Sequence, residues 1–180
     1  MTLVRVGDAE IDYERGGDGP ALLLIMGMSG TALHWGEPLL EDLRRDFDVI
    51  AFDHRGVGAS TRLTDGRITI REMAEDAAGL LAALGVESAH VMGISMGGMI
   101  AQELALAHPE LVRTLTLGCT YCGGEGSALA PPETIGPLGE AMMSGDRGRA
   151  IRTGWEMNVS APYAADEEAW GRFAAIARSR

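Results

Sequence analysis

The sequence has no lysine: all 15 basic residues among its 180 are arginine, and 26 acidic residues bring the formal net charge to −11. We expect no nucleic-acid partner, because an acidic surface repels phosphate backbones. The 2 cysteines are too few for a disulfide framework. No apolar run approaches the roughly 18 residues of a membrane helix, and the start of the chain lacks the pattern of a signal peptide. These absences predict a cytoplasmic protein without a membrane partner.

Strand and helix patterns alternate regularly up to about residue 118. We expect strands over 3–6, 11–15, 21–26, 49–52, 90–92 and 111–117, and helices over 34–45, 70–84 and 96–108. The first two strands alternate in polarity and predict an antiparallel pair at a sheet edge. The apolar runs that follow are typical of strands covered on both faces. Together they predict an α/β protein with a mostly parallel, doubly wound sheet.

The composition changes after residue 121. Glycine, proline and small residues dominate 122–139, and helical patterns follow over 140–159 and 167–177 with no strand pattern between them. Asp166 precedes the second of these patterns and is expected to cap that helix. We therefore predict two domains, a sheet domain over 1–121 and a helical segment over 122–180.

A serine stands between two glycines where the fifth predicted strand meets a helix. The stretch GISMG at 93–97 fits the G-x-S-x-G pattern of a nucleophile elbow, a sharp turn that exposes the serine hydroxyl. Such a turn holds the serine in a strained conformation costing about 1–3 kcal/mol, and it brings the chain so close to itself that Gly93 and Gly97 cannot carry side chains. The helix N-terminus adds N–H groups beside the hydroxyl. Ser95 is our candidate nucleophile, the alternative being an incidental serine at an ordinary corner.

The chain also offers a second serine after a buried strand, which serves as a control. Ser29 follows Gly27, but Thr31 stands where the pattern requires glycine, and a loop follows. We therefore reject Ser29 as the nucleophile.

Three stretches together resemble the α/β-hydrolase superfamily, specifically its serine esterase-like branch. They are LLLIMGMSG at 22–30, FDHRGVGAS at 52–60 and GISMGG at 93–98. Their order and spacing match over residues 1–120, so the chain resembles the N-terminal two-thirds of a member. The resemblance implies that the C-terminal strands of the fold are absent and that residues 122–180 are part of a helical cap.

The resemblance also implies an oxyanion hole. In the family the first stretch usually reads His-Gly, and Met26 stands here in place of that histidine. Carried over by position, the donors are the backbone N–H groups of Met28 and Met96. Two fixed donors are typically worth several kcal/mol where acyl transfer places negative charge. In the second stretch we expect Asp53 and Arg55 to shape a tight turn and an ion pair, not to catalyse.

The catalytic acid and histidine of the family, which follow the nucleophile in the chain, have no match here. His90 and His108 lie too far along the strand and the helix, and His54 belongs two strands away. His34, in the loop after the third strand, is the one histidine that could face the pocket, although we expect it to cap a turn or pack beside Trp35. The chain therefore reads as an incomplete hydrolase with negligible turnover by itself.

The predicted function is hydrolysis of small apolar carboxylic esters or lactones through an acyl-enzyme on Ser95, with no metal and no organic cofactor. Relatives with this elbow also include C–C hydrolases, aminopeptidases and perhydrolases, among which the sequence does not choose. A non-catalytic alternative is a truncated product or a ligand-binding scaffold. The Cys-x-x-Cys at 119–122 lacks the two further ligands that a zinc site needs. Gly27 and Gly30 do not complete the glycine pattern of a dinucleotide-binding loop. The sequence does not predict the oligomeric state.

Overall fold

The computed structural model describes residues 2–64, 66–127 and 131–178. The chain divides into two compact units, Met1–Gly124 and Glu125–Arg180. The first contains six strands and three α-helices, which are β1 (Thr2–Val6), β2 (Ala9–Gly16), β3 (Ala21–Ile25), α1 (Glu37–Leu43), β4 (Asp48–Phe52), α2 (Ile70–Ala83), β5 (Ala89–Ile94), α3 (Met96–Ala107) and β6 (Val112–Gly118). Short 3₁₀ turns at Ala32–Trp35 and Pro109–Leu111 complete it.

The six strands form one sheet in the order β1-β2-β4-β3-β5-β6. β1 pairs antiparallel with β2, and β2 antiparallel with β4. The remaining pairs, β3 with β4, β3 with β5 and β5 with β6, are parallel. This confirms the predicted mostly parallel sheet with an antiparallel pair at one edge. No strand follows β6 in the described part of the chain, and the side chains of β6 are largely exposed.

The sheet is covered on both faces, as the apolar runs predicted. Along β3, Leu23 and Ile25 pack with α2 and α3 in one hydrophobic cluster, whereas Leu22 and Leu24 pack with Leu40 of α1 in another. Alternate residues of one strand thus enter opposite cores, which explains why its sequence is apolar throughout.

The predicted start of α2 is confirmed in detail. The Thr69 hydroxyl accepts from the Glu72 N–H at 3.2 Å, and the Glu72 carboxylate accepts from the Thr69 N–H at 2.7 Å. This capping box satisfies two N–H groups of the first turn. Gly85, at a φ of 68°, follows the end of the helix where the sequence predicted a stop.

Two predicted helices are each divided by a glycine. The pattern over 34–45 becomes a 3₁₀ turn and α1, separated by Gly36 at a φ of 77°. The pattern over 140–159 is interrupted at Gly145, whose φ is 74°, and the next helix is capped by Asp146, which accepts from the Arg149 N–H at 2.9 Å. A positive φ cannot continue a right-handed helix, so both elements end there.

The second unit consists of α4 (Pro132–Met143), α5 (Arg147–Asn158), α6 (Ala161–Ala164) and α7 (Glu167–Arg178). Its core is aromatic: Trp155 lies 5.0 Å from Phe173 and 5.3 Å from Tyr163, centroid to centroid. Asp166 caps α7 as predicted, accepting from the N–H groups of Glu168 and Ala169 at 3.0 Å each. Across the residues that the structure describes, none of the helices has the length and apolar character needed to span a membrane.

Candidate active site

Ser95 occupies the corner between β5 and α3 in a strained conformation. Its φ is 53° and its ψ is −123°, and it is exposed. L-residues rarely adopt a positive φ, which costs of the order of 1–3 kcal/mol and persists only where neighbours hold it. The Ser95 N–H donates to the Gly118 carbonyl at 2.9 Å, so the end of β6 is one of those neighbours.

The glycines around Ser95 leave no room for side chains. A Cβ at Gly97 would collide with the backbone carbonyl of Ile25, and a Cβ at Gly93 would collide with that of Gly97. A Cβ at Gly98 would lie 2.6 Å from the Cβ of Thr120. The helix therefore packs directly onto the ends of the strands, and this close approach forces the sharp corner.

The loop after β3 lies directly against Ser95. A Cβ at Gly27 would be 3.2 Å from the Ser95 Cβ and 3.7 Å from its Oγ. The Gly30 N–H donates to the Gly27 carbonyl at 3.2 Å, which closes a β-turn whose third residue, Ser29, has a φ of 61°. This is the position where a type II turn requires a positive φ. Met28, the second residue of the turn, is 56% exposed.

Two backbone N–H groups near Ser95 lack acceptors. Met96 is the first residue of α3, where helical N–H groups have no partner within the helix. Met28 directly follows Gly27, where an added Cβ would lie 3.2 Å from the Ser95 Cβ. Among the described residues, no acceptor is found for either N–H. One of these N–H groups thus begins the helix that follows Ser95, and the other lies in the turn that follows β3.

Asp53 lies at the end of β4, completely buried, and binds backbone N–H groups through both carboxylate oxygens. One oxygen accepts from Ala32 at 2.8 Å and the other from Ala59 at 3.2 Å. The ion pair expected in this stretch joins Arg55 to Asp76 at 2.5 Å and to Asp8 at 2.9 Å. The carboxylate of Asp53 is therefore engaged in holding loops.

His54 follows Asp53 and is only 2% exposed. Its Nε2 lies 2.8 Å from the Met26 carbonyl oxygen, and its ring packs edge-on to Phe52. Because a carbonyl can only accept, Nε2 carries the proton. Burial lowers the pKa of His54, against the opposing effects of the bond to Met26 and the charges on Asp53 and Asp76. The ring is therefore neutral near pH 7, and sequence reasoning missed its contact with Met26.

His34 is unsuited to act as the base for Ser95. Its Nδ1 accepts from the Thr31 N–H at 3.0 Å and lies 2.9 Å from the Thr31 hydroxyl. Burial lowers the pKa of His34, so the ring is neutral near pH 7 and holds its proton on Nε2. The lone pair of the ring is already engaged with Thr31, as the expected capping role implies.

The other two histidines lie away from Ser95. The Nδ1 of His90 is 2.8 Å from the Thr114 hydroxyl, and five strand residues, about 16 Å, separate it from Ser95. His108 follows α3 and contacts Glu75 at 3.1 Å, about 20 Å along the helix. None of the 4 histidines in the chain is thus placed to take the proton of Ser95.

Cys119 and Cys122 are exposed thiols that are not joined in a disulfide. Within residues 2–64, 66–127 and 131–178, no group of three or more His, Cys, Asp or Glu side chains is arranged to hold a metal ion. The Cys-x-x-Cys spacing therefore acquires no additional ligands from the fold.

Comparison with known proteins identifies relatives in sequence and in structure. RutD of Azorhizobium caulinodans, named for carbamate hydrolysis, is 50% identical over 117 residues, covering 65% of this chain and 43% of that protein. An esterase structure from a Rhodococcus species has a TM-score of 0.81 at 29% identity, covering 98% of this chain and 67% of the esterase. An enzyme described as degrading N-acyl homoserine lactones has a TM-score of 0.74 at 29% identity, with 98% and 64% covered.

The match to RutD thus spans less than half of that protein's length. The family model for the α/β-hydrolase fold matches residues 20–171, most of this chain. Together with the sheet order, this confirms the fold class that the three sequence stretches predicted. The chain belongs to the α/β-hydrolase family.

Proposed function

We propose that Ser95 is the nucleophile of a serine hydrolase that acts on small apolar carboxylic esters or lactones. The observation that carries this proposal is the exposed Ser95 at a strained corner, with the acceptor-free N–H groups of Met28 and Met96 beside it. The names of the esterase and lactone-degrading relatives support the substrate class. We propose that no metal or organic cofactor takes part.

The proposed reaction begins when the Ser95 Oγ attacks the carbonyl carbon. The carbonyl π electrons move to the oxygen, and the N–H groups of Met28 and Met96 stabilise the charge that develops there. Collapse of the intermediate breaks the bond to the leaving oxygen, which takes up the proton that the serine hydroxyl lost, and the acyl group stays on Ser95. An ester thereby releases its alcohol, whereas a lactone keeps the new hydroxyl on the acyl group. Water then attacks the acyl-enzyme, releasing the acid and restoring the hydroxyl.

The hydroxyl proton needs an acceptor, because a neutral serine is a weak nucleophile. The four histidines of this chain are engaged elsewhere or lie too far from Ser95. This chain therefore contributes the nucleophile and the oxyanion donors, and the base must be added for acyl transfer to occur.

Carbamate hydrolysis is a second candidate function, favoured by the 50% identity to RutD. A carbamate carries nitrogen on its carbonyl but is attacked in the same way, so Ser95 and the two donors would keep their roles. The two substrates differ in what remains on the serine, an acyl group or a carbamoyl group, and these differ in mass.

The test supplies the missing base as free imidazole. The chain is treated with p-nitrophenyl acetate with and without imidazole, and acetylated residues are located by peptide mass spectrometry. We expect imidazole-dependent acetylation of Ser95, none at that position in Ser95→Ala, and an unchanged result in the matched control Ser29→Ala. Replacing the ester by a p-nitrophenyl carbamate tests the second candidate.

Two results would contradict the proposal. One is acetylation of Ser29 and Ser95 to equal extents, which would reveal no activation at the corner. The other is a Ser95 that stays unmodified with imidazole present, the outcome expected of a ligand-binding scaffold.

A further inference from the structure

The loop between β3 and the following 3₁₀ turn, residues 26–32, is held at both ends by two consecutive residues that directly follow β4. At its start, His54 Nε2–H donates to the Met26 carbonyl at 2.8 Å. At its end, the Ala32 N–H donates to the Asp53 carboxylate at 2.8 Å. Both side chains are buried, so both attachments lie in a low-dielectric environment where a hydrogen bond is stronger than in water.

This oxyanion loop, as residues 26–32 are called below, needs such attachments. Its internal structure is one β-turn closed by Gly30 and Gly27, with the strained Ser29 at its third position. Strained backbone persists only where the surroundings enforce it. An oxyanion donor such as the Met28 N–H must also be held within about 0.5 Å of its working position to act fully.

His54 is suited to hold the Met26 carbonyl because both its ring and its proton are fixed. The ring is fixed by its edge-on packing against Phe52, with centroids 5.1 Å apart. Its proton is fixed on Nε2 by the Met26 carbonyl, and the Met26 side chain and backbone are buried. Removing the donor would leave a buried carbonyl unpaired, which destabilises the loop at this attachment.

We propose that His54 is a positioning residue: by donating to the Met26 carbonyl it holds the oxyanion loop, and thereby the Met28 N–H, in place beside Ser95. Asp53 performs the same task at the other end of the loop. The functional part of this inference rests on the proposed function, whereas the structural part concerns the loop alone. If His54 only fills space in the core, its ring shape matters and its N–H does not.

The structural part is tested by amide hydrogen exchange at Gly30 and Ala32, whose N–H groups report the closure of the loop. His54→Phe keeps a ring against Phe52 but removes the donor. We expect exchange at these two amides to accelerate roughly tenfold, the effect of losing one buried hydrogen bond. His54→Gln, which can donate again, should restore slow exchange.

The matched control is His90→Phe. His90 also packs edge-on to a phenylalanine, Phe47, and also makes a 2.8 Å hydrogen bond, but near the opposite end of β5. It should leave Gly30 and Ala32 unchanged. Equal acceleration in both variants, acceleration throughout the sheet, or no change in His54→Phe would overturn the role of His54.

A measurement on the unmodified chain covers the case in which His54→Phe does not fold. Nitrogen-15 NMR of the histidine rings should find the proton of His54 on Nε2. A proton on Nδ1 instead would overturn the inference, because the Met26 carbonyl would then face a lone pair.

The functional part uses imidazole-dependent acetylation of Ser95. We expect roughly tenfold slower acetylation in His54→Phe, with recovery in His54→Gln, because a displaced donor stabilises the oxyanion less. Unchanged acetylation alongside a loosened loop would overturn the link between His54 and the chemistry. Failure of the unmodified chain to acetylate would instead count against the proposed function, while the exchange data still decide whether His54 holds the loop.

Discussion

Ser29 and Ser95 each follow a buried strand, each has a positive φ, and each is exposed, yet they lie in different structures. Ser29 is the third residue of a β-turn, and the backbone beyond it turns back through the bond from Gly30 to Gly27. Ser95 is followed at once by α3, packed against the strand ends through Gly97. The same unusual dihedral angle thus occurs in a turn in one case and at a strand-to-helix corner in the other.

The comparison teaches that strain alone does not identify a nucleophile. What distinguishes Ser95 is the helix that begins next to it and the two glycines that allow the helix to approach the sheet. The Ser29 turn contributes something else to the same place, a backbone N–H at Met28. The two strained corners are therefore complementary parts of one candidate site.

The largest effect is expected from Gly97→Ala, compared with Gly27→Ala. The new Cβ at residue 97 would collide with the Ile25 carbonyl, whereas that at residue 27 would meet the Ser95 Cβ at 3.2 Å. We expect Gly97→Ala to lower the free energy of unfolding by about 3 kcal/mol and Gly27→Ala by less than about 1 kcal/mol. The contacts at residue 27, 3.2 Å to the Ser95 Cβ and 3.3 Å to the Ile94 carbonyl oxygen, are tight but do not overlap as severely as the contact at residue 97. Urea denaturation followed by circular dichroism measures both, and equal losses would contradict the packing described.

Acid should loosen the Ser29 corner before the Ser95 corner. His54 donates to the Met26 carbonyl at the start of the oxyanion loop, and His34 accepts from the Thr31 N–H near its end. Burial lowers the pKa of both histidines. Below a pH of about 6.5 the unfolded state binds more protons than the folded state. The contribution of the two histidines to the free energy of unfolding is therefore complete above that pH and is lost as the pH falls through their lower pKa values in the folded state. Each histidine contributes a slope of at most about 1.4 kcal/mol per pH unit.

The measurement for this pH effect is amide exchange, corrected for its intrinsic pH dependence. Gly30, in the Ser29 turn, should lose protection at a higher pH than Gly98, whose N–H donates to the Ser95 carbonyl. In His54→Phe the difference between the two amides should diminish. Simultaneous loss at both corners in the unmodified chain would argue against a local effect of the histidines.

Relief of strain should be a smaller effect and should appear at both corners. Ser29→Gly and Ser95→Gly each remove a Cβ from a residue with positive φ, a gain of about 1–2 kcal/mol partly offset by the greater freedom of glycine when unfolded. We expect each variant to gain up to about 1 kcal/mol in the free energy of unfolding. The alanine variants at the same positions keep the Cβ and should gain nothing, so an equal gain from alanine would exclude this explanation.

For the last comparison we expect no difference between the chain and its Ser95→Ala variant. Without added base, the chain should release p-nitrophenol from p-nitrophenyl acetate no faster than Ser95→Ala does, because no histidine of the chain is available to Ser95. A burst of p-nitrophenol that Ser95→Ala abolishes would show that another group serves as base.

Much of the fold was predictable because its signals are local. The apolar runs predicted the buried strands, the helical pattern over 70–84 predicted α2, and the spacing of glycines predicted the Ser95 corner. The breaks at Gly36 and Gly145 were not predicted, because a glycine within a helical pattern does not reveal its φ. The start of α4 at Pro132 was missed since its glycine and proline content is typical of a loop.

The contact between His54 and Met26 was missed for a different reason. It joins residues 28 positions apart on neighbouring strands, and no local pattern encodes such a pairing. The signal that could have revealed it is the parallel register of β3 and β4, which aligns Leu24 with Ala51 and so brings the ends of both strands together. Register depends on the whole sheet, which is why the strands were predictable and this attachment was not.

Strand β6 has one more consequence. In the described part of the chain only β5 pairs with it, and its Leu115 and Leu117 are 37% and 43% exposed. One side of its backbone therefore offers open N–H and C=O groups in a stretch of alternating threonine and leucine, which readily accepts a further strand. The state of the protein in solution should accordingly depend on its concentration, with dilution favouring single molecules over associated ones.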